Sequence, residues 1–319
     1  MSAGVKDKKM FFIINSFAGG GKAKDWWEEK QLELSAQGFD YFWEYTEGGE
    51  KTGLQVRKAV LEQGAEAVIV VGGDGALFDA VNGLIENEHL IAEDVIFVVS
   101  PAGSACDFGR HIYNGEKLDL LDLLQKGNVR HVDLGLCVYH NMQGVEKKSC
   151  FINSFDAGAG ADTCLRINAN QGRLKKLIHS GKLVFMLTAL KVLSSFKYTH
   201  AYINVDGEEI EGEYIIIAIG NGSYMGGGMH LCGKASLDDG LLDLFLVEGR
   251  SLPKILYAFT KIFGNKTMTI DKIAYRQLKK VVIKTDKPIA IELDGEVPGV
   301  TDVEIHVLPG ILPLLVPAP

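Results

Sequence analysis

The stretch VIVVGGDGALFDAVN, residues 68–82, constrains the fold of this chain more than any other. Four apolar residues run into Gly72, Gly73, Asp74 and Gly75, and an amphipathic helical pattern follows. That order predicts a buried parallel strand ending in a turn at a helix start. Such a turn can cradle phosphate, because its glycines let backbone N–H groups approach a ligand and a helix N-terminus favours an anion.

Asp74 would repel phosphate unless a metal ion lay between them, so the stretch points to a nucleotide with a divalent cation. A strand-to-helix turn needs a glycine in any case, and this loop alone therefore leaves a purely structural role open.

The first third of the chain alternates strand-like and helix-like segments. Strands are predicted over 10–15, 39–45, 68–71 and 95–100, and helices over 26–37, 53–63 and 78–85. In the second helix Leu54, Ala59, Val60 and Leu61 are expected to face inward. Repeated β-α-β units predict a parallel sheet that binds ligands at the carboxyl ends of its strands. The glycine-rich loops 15–22, 72–75 and 100–104 all follow strands, so we expect them at one edge.

After about residue 129 closely spaced strand patterns replace this alternation. Strands are predicted over 132–139, 149–155, 201–205, 213–220, 241–247, 280–285 and 288–293, with helices over 174–196 and 253–263. Hairpin signals such as Asp206-Gly207 favour a mostly antiparallel second domain. The fold class is therefore an α/β nucleotide-binding domain with a parallel sheet over 1–132 and a β-rich domain over 133–302. The apolar segment 303–319 is a candidate to return to the first domain.

Charge, cysteine spacing and the lack of long apolar runs argue against several classes of protein. A net charge of −8 argues against a nucleic-acid binder. The five cysteines are widely spaced without a C-x-x-C pair, which favours reduced thiols over zinc or disulfides. The N-terminal residues lack the apolar core of a signal peptide, and no apolar run reaches the roughly 18–20 residues of a membrane span. A cytoplasmic protein is expected, at most peripheral at the inner membrane surface.

A basic segment stands out within this acidic chain. Residues 166–200 contain no Asp or Glu but carry seven Lys and Arg residues. An anionic membrane surface is one partner that such a segment fits, and an ordinary amphipathic helix with solvated lysines is the alternative. The sequence leaves the oligomeric state open, with a homodimer among the alternatives.

Taken together, the motifs resemble those of the diacylglycerol kinase catalytic-domain family, which includes bacterial lipid kinases and sphingosine and ceramide kinases. The resemblance covers nearly the whole chain, in order and in approximate spacing. It rests on NSFAGGGK from residue 15, Thr46 before a glycine-rich bend, GGDGA from 72, PAGSACDFGR from 101, DLG from 133, NSFDAGAGAD from 153, ASLDDGLLD from 235 and LDGE from 293.

The resemblance implies an ATP- and Mg²⁺-dependent kinase with a lipid substrate and an active site in the cleft between the two domains. By position, ATP would be surrounded by Asn15, Thr46, Gly72, Gly73, Asp74, Gly75, Gly103 and Ser104. Asp107 and Asp133, with Asp74, would organise the catalytic magnesium. A second, structural cation would lie in the loop of Ser236, Asp239 and Leu241.

The resemblance also makes Asp294 the general base that takes the proton of the lipid hydroxyl. The local pattern IELDGE alone favours an ordinary hairpin turn, and only the full-chain resemblance reverses that reading. Glu296 lies two residues further on, and a solvated role is equally open for it.

The chain departs from the family pattern at three places. Ala76 stands where the family usually has threonine, Cys106 where it has an amide, and Ser16 where proline is usual. The lost hydroxyl and the lost amide each remove about 1–2 kcal/mol of hydrogen bonding. These departures leave open a non-catalytic lipid- or nucleotide-binding relative with decayed motifs. The other alternative is an NAD kinase-like enzyme, which shares the GGDG loop.

Overall fold

The computed structural model describes residues 4–102, 106–169, 181–249 and 273–318. The chain divides into two compact units. Unit 1 contains residues 1–133 and 309–319, and unit 2 contains residues 134–308.

Unit 1 is built around a parallel sheet with the strand order β6-β3-β1-β2. Strands β1 and β3 are buried along their whole length, as expected for central strands that are covered on both faces. The strands are β1 (Met10–Ile14), β2 (Tyr41–Tyr45), β3 (Ala67–Gly72), the short hairpin β4 (Ile85–Glu86) and β5 (His89–Leu90), and β6 (Ile96–Pro101).

Five helices connect these strands or follow them. They are α1 (Lys22–Ala36), α2 (Glu50–Leu61), α3 (Asp74–Leu84), α4 (Asp107–Ile112) and α5 (Leu120–Lys126). Helix α1 begins four residues before the predicted start at residue 26, directly after Gly21, whose φ of 96° is left-handed. The α/β class predicted for this part of the chain is confirmed.

The predicted inward face of α2 is partly wrong. Leu54 and Leu61 are 63% and 53% exposed, whereas Ala59 and Val60 are buried as predicted. The buried face consists largely of small residues, because α2 crosses α3 at Gly53 and Gly83 with their backbones in contact. A close helix crossing favours small side chains over leucine.

Unit 2 is mostly antiparallel, as the sequence predicts. Its sheet has the strand order β15-β14-β11-β10-β16-β18, β9 pairs with β11 and β17, and β7 pairs with β8. The strands are β7 (Asn128–Asn141), β8 (Glu146–Phe151), β9 (Ser154–Gly158), β10 (Thr199–Val205), β11 (Glu208–Gly220), β12 (Tyr224–Met225), β13 (Met229–His230), β14 (Leu242–Glu248), β15 (Ile273–Leu278), β16 (Lys280–Thr285), β17 (Ala290–Leu293) and β18 (Glu296–Val316).

The described residues of this unit also form the helices α6 (Ala159–Ala169) and α7 (Gly181–Ser195). The hairpin predicted at Asp206-Gly207 joins β10 to β11, and both residues have positive φ. The single strand predicted over 149–155 is instead split between β8 and β9.

The last strand, β18, contributes to both units. Its residues Val303–His306 pair with β16 in unit 2, and Leu314 pairs in parallel with Phe97 of β6 in unit 1. Leu312, Leu314 and Leu315 are fully buried. The apolar C-terminal segment therefore completes the core of unit 1.

Some predictions fall outside the described residues, namely the helix over 253–263, the first part of the helix over 174–196, and the loop residues Gly103 and Ser104. Across the described part of the chain, no helix combines the length and apolar character needed to cross a membrane.

The α2–α3 crossing gives a test of the packing in unit 1. A Cβ on Gly83 would lie 2.3 Å from the carbonyl oxygen of Gly53. Gly83→Ala should therefore lower the free energy of unfolding by roughly 1–3 kcal/mol, although the same change in an open helix stabilises by about 1 kcal/mol. Urea unfolding measures the effect. Ala36→Leu, which adds volume at an exposed helix position, is the control; an equally stable Gly83→Ala would contradict the close crossing.

Candidate active site

The carboxyl ends of the parallel strands bring several predicted nucleotide-binding residues into one row in unit 1. The Thr46 N–H donates to the Ile14 carbonyl at 3.0 Å, and the Asn15 N–H donates to the Val71 carbonyl at 2.9 Å. The Ala102 N–H donates to the Gly72 carbonyl at 3.0 Å. The ends of β2, β1, β3 and β6 thus lie side by side, and the loops that follow them share this edge.

The Gly72–Gly75 turn is shaped by close packing. A Cβ on Gly72 would lie 2.7 Å from the Ala76 Cβ and 3.5 Å from the Asn15 Cβ, so a larger residue does not fit. Gly73 is the extended residue before α3, which begins at Asp74. The first backbone N–H groups of a helix can stabilise a phosphate, so the start of α3 is a candidate phosphate site.

Asp74 joins this turn to α4. Its Oδ2 accepts the Asp107 N–H at 2.8 Å, and its Oδ1 accepts the Phe108 N–H at 3.1 Å. Burial, and secondly the charge of the nearby Asp107 carboxylate, raise the pKa of Asp74 to about 7. Two carboxyl groups held this closely fit a divalent cation with oxygen ligands, because its charge would offset their repulsion.

Cys106 stands where the family pattern has an amide side chain, and it has a local structural role. Its Sγ accepts the Gly109 N–H at 3.3 Å and so caps the start of α4. Burial raises the pKa of this thiol well above its usual range. The residue is therefore a neutral helix cap.

Asp133 is placed differently from Asp74 and Asp107 within unit 1. Its side chain is buried, and its Oδ1 accepts the Gly310 N–H at 2.6 Å. It therefore anchors the returning C-terminal segment, and its predicted part in organising magnesium stays a prediction.

In unit 2 the LDGE turn is fixed by Asp294. This residue is 1% exposed and has a φ of 49°. Its carboxylate accepts backbone N–H groups from Ile152 at 2.8 Å, Asn153 at 2.9 Å and Ser154 at 2.8 Å. The predicted base thus binds three backbone donors at the junction that leads into β9.

Glu296 differs from Asp294 in both accessibility and bonding. Its side chain lies at the exposed start of β18, and partial burial of the carboxyl raises its pKa. A carboxylate with a raised pKa that reaches solvent is a stronger proton acceptor than an ordinary glutamate.

Asp156 and Glu292 are buried acids that the sequence motifs did not single out. They stand directly opposite each other in the pairing of β9 with β17. Asp156 Oδ1 accepts the Ala161 N–H of α6 at 2.8 Å, and burial raises the Asp156 pKa to about 7. Glu292 accepts the Gly295 N–H within the LDGE turn. An acid inside an otherwise apolar strand pattern was the available signal.

The predicted structural-cation loop is held by its own side chains. Asp239 Oδ1 accepts the Leu241 N–H at 3.1 Å, and its Oδ2 accepts from the Gln277 amide at 3.3 Å. Ser236 Oγ donates to Asp238 at 3.0 Å. Across the described residues no group of three or more His, Cys, Asp or Glu side chains is arranged to hold a metal. A cation held by Asp239 and backbone carbonyls stays a prediction.

Two family models match the chain. The Diacylglycerol kinase catalytic domain matches residues 9–137, and the YegS C-terminal NAD kinase beta sandwich-like domain matches residues 156–316. The two matches correspond closely to the α/β and β-rich parts of the chain.

Curated relatives agree with these matches. A protein named "Probable lipid kinase YegS" from Salmonella gallinarum is 30% identical over 255 residues, which cover 78% of this chain and 77% of that protein. A "Diacylglycerol kinase" from Staphylococcus saprophyticus is 25% identical over 294 residues, which cover 92% of this chain and 90% of that protein.

The fold also has a solved counterpart. The crystal structure of a diacylglycerol kinase from Bacillus anthracis superimposes with a TM-score of 0.71 at 23% identity and covers 97% of both chains. At this identity the likeness establishes the fold.

The raised pKa of Asp156 predicts a pH-dependent stability. Between about pH 4 and pH 7 the folded chain keeps this proton while the unfolded chain, with a pKa of 3.8, loses it. The free energy of unfolding should therefore fall as the pH rises through this window, by up to about 4 kcal/mol. Asp156→Asn should remove this contribution and reduce the total fall, to which Asp74 with its similarly raised pKa also contributes, as measured by urea unfolding across the window.

Asp162→Asn on the following helix α6 is the control, since Asp162 is partly exposed and ion-paired with Arg166 at 2.9 Å. This variant should keep the wild-type pH dependence. A wild-type slope in Asp156→Asn would show that Asp156 does not carry the titration.

Proposed function

We propose that this chain, which belongs to the diacylglycerol kinase catalytic-domain family, is an ATP-dependent lipid kinase that transfers the γ-phosphoryl group to a lipid hydroxyl. The observation that carries the proposal is the edge of unit 1, where Asn15, Thr46 and the Gly72–Gly75 turn meet and Asp74 holds α4. Phosphoryl transfer depends on positioning and on charge stabilisation, and this edge can supply both.

The nucleotide phosphates are proposed to lie on the N–H groups at the start of α3. A residue without a side chain lets a phosphate approach this backbone closely, which fits the glycines at 73 and 75. Gly103 and Ser104 are proposed to contribute from the loop after β6. Mg²⁺, when bound, would neutralise phosphate charge, and Asp74 and Asp107 would hold it directly or through water.

The acceptor is proposed to be a lipid alcohol such as diacylglycerol or a sphingoid base. Support comes from the names of the relatives, which are diacylglycerol kinase and probable lipid kinase. Two alternatives keep the fold but change the function, namely an NAD kinase-like enzyme and a non-catalytic binding relative. The non-catalytic alternative draws on Ala76 and Cys106, which lack the hydroxyl and the amide usual in the family.

A lipid acceptor requires access to a bilayer, and we propose peripheral binding to anionic membranes through the basic segment 166–200. The segment has seven Lys and Arg residues and no acid. Attraction between these cations and anionic lipids would weaken as salt rises.

Two acids of the LDGE turn compete for the role of proton acceptor. Asp294 remains the base predicted from the sequence. Its three backbone hydrogen bonds support a positioning role, because they leave little of the carboxylate for a substrate. The accessible Glu296, with its raised pKa, is the second candidate, and the structural features favour it.

The function is tested by offering labelled ATP together with lipid vesicles or with NAD. Wild type should phosphorylate a hydroxyl lipid and leave NAD unmodified. Gly73→Val should remove this activity and ATP binding, because a side chain would fill the phosphate cradle while the extended backbone at Gly73 tolerates valine. Circular dichroism checks that the variant is folded. Phosphorylation of NAD alone would support the NAD kinase alternative, and no phosphorylation the binding-protein alternative.

The proton acceptor is tested by Glu296→Gln and Asp294→Asn. If Glu296 is the base, Glu296→Gln should lower kcat by a factor of about 10²–10⁴ without changing the melting temperature or ATP affinity. Asp294→Asn should lower both activity and stability, since an amide cannot accept all three N–H groups in place of the carboxylate. A Glu296→Gln variant that keeps most of its turnover would return the assignment to Asp294.

A further inference from the structure

Phe17 is the most exposed large hydrophobic side chain among the described residues. It is 86% exposed, although it follows the fully buried strand β1 by only three residues. An isolated apolar side chain on a surface is common and needs no explanation by itself. The position of this one, in the first of the loops at the candidate nucleotide edge, is what gives it meaning.

Asn15 links Phe17 to the Gly72–Gly75 turn. The Phe17 N–H donates to Asn15 Oδ1 at 3.1 Å, and the Ala18 N–H donates to the Asn15 carbonyl at 2.9 Å. The Asn15 Cβ in turn lies 3.5 Å from the position of a Cβ on Gly72. Asn15 therefore holds the backbone of Phe17 and itself lies beside the strand end that carries the Gly72–Gly75 turn.

The chain beyond Phe17 leaves open space. Gly20 and Gly21 have left-handed φ values of 73° and 96°, and a Cβ on either would meet no atom within 4 Å. These glycines have no side chains that could cover the Phe17 ring. A flat ligand can therefore reach the Phe17 ring.

We propose that Phe17 stacks on the base of the bound nucleotide. The inference rests on the proposed function and concerns the same site. A nucleotide combines a charged phosphate chain with a flat aromatic base, and this edge pairs backbone N–H groups with an exposed aromatic ring. Stacking tolerates different bases, because every base has a π-face. The site should therefore accept GTP as well as ATP.

Stacking also offsets what the loops lack. Ala76 and Cys106 stand where the family pattern has a hydroxyl and an amide, and Cys106 uses its sulfur to cap α4. An aromatic contact restores affinity without a directed hydrogen bond.

The test compares the binding of ATP, GTP and inorganic tripolyphosphate by calorimetry with Mg²⁺ present. Phe17→Ala should weaken both nucleotides by roughly five- to a hundredfold and leave tripolyphosphate unchanged, because tripolyphosphate has no base. Phe17→Trp should keep wild-type affinity. Leu32→Ala, which removes another exposed apolar side chain from unit 1, is the matched control and should bind like wild type.

Three results would overturn the inference while leaving the proposed function intact. In the first, Phe17→Ala binds ATP as tightly as wild type. In the second, it weakens ATP and tripolyphosphate equally, which would show that the ring supports the loop. In the third, it reduces sedimentation with anionic vesicles but not nucleotide affinity. A wild-type protein that binds no nucleotide at all would overturn the proposed function itself, and the stacking with it.

Discussion

One carboxylate joins the two elements on which the candidate nucleotide site depends. Asp74 belongs to the turn after β3, and it accepts the two leading N–H groups of α4, which follows β6. Helix α4 has only six residues and has little stability of its own, so its position depends on this contact and on the Cys106 cap. The same contact places the Asp107 side chain beside Asp74, where the two charges disfavour each other. The site is thus assembled with a local electrostatic cost that a divalent cation is suited to offset.

In unit 2 a carboxylate likewise organises the LDGE turn by accepting backbone N–H groups. The Asp294 carboxylate gathers three consecutive N–H groups, and Glu292 accepts a fourth within the turn. A buried carboxylate is stable only when donors surround it, so these acids specify one backbone arrangement. In both units an acid at a predicted site position also holds the backbone in place by accepting hydrogen bonds. Removing such an acid changes geometry and chemistry together, and this is why accessible neighbours such as Glu296 are the more informative positions.

The fold class and the family were predictable from the sequence because they depend on patterns along the chain. Apolar runs that end in glycine set the strand ends of unit 1, and Asp206-Gly207 set a hairpin in unit 2. The buried face of α2 was not predictable in full, since the close Gly53–Gly83 crossing moves Leu54 and Leu61 to the surface. The surroundings of Asp294, Asp156 and Glu292 depend on pairing between distant strands. The register of such strand pairing cannot be read from any local sequence pattern.

The position of the last strand delays the folding of unit 1 during translation. Unit 1 obtains Leu312, Leu314 and Leu315 only after the ribosome has translated all of unit 2, because these residues follow position 308. Until then the nascent chain lacks the partner of Phe97 on β6, and β6 presents open backbone groups that can pair with another chain. Vectorial synthesis therefore cannot finish the first unit first, unlike the usual domain-by-domain order. The nascent chain should need protection at this strand for most of its translation.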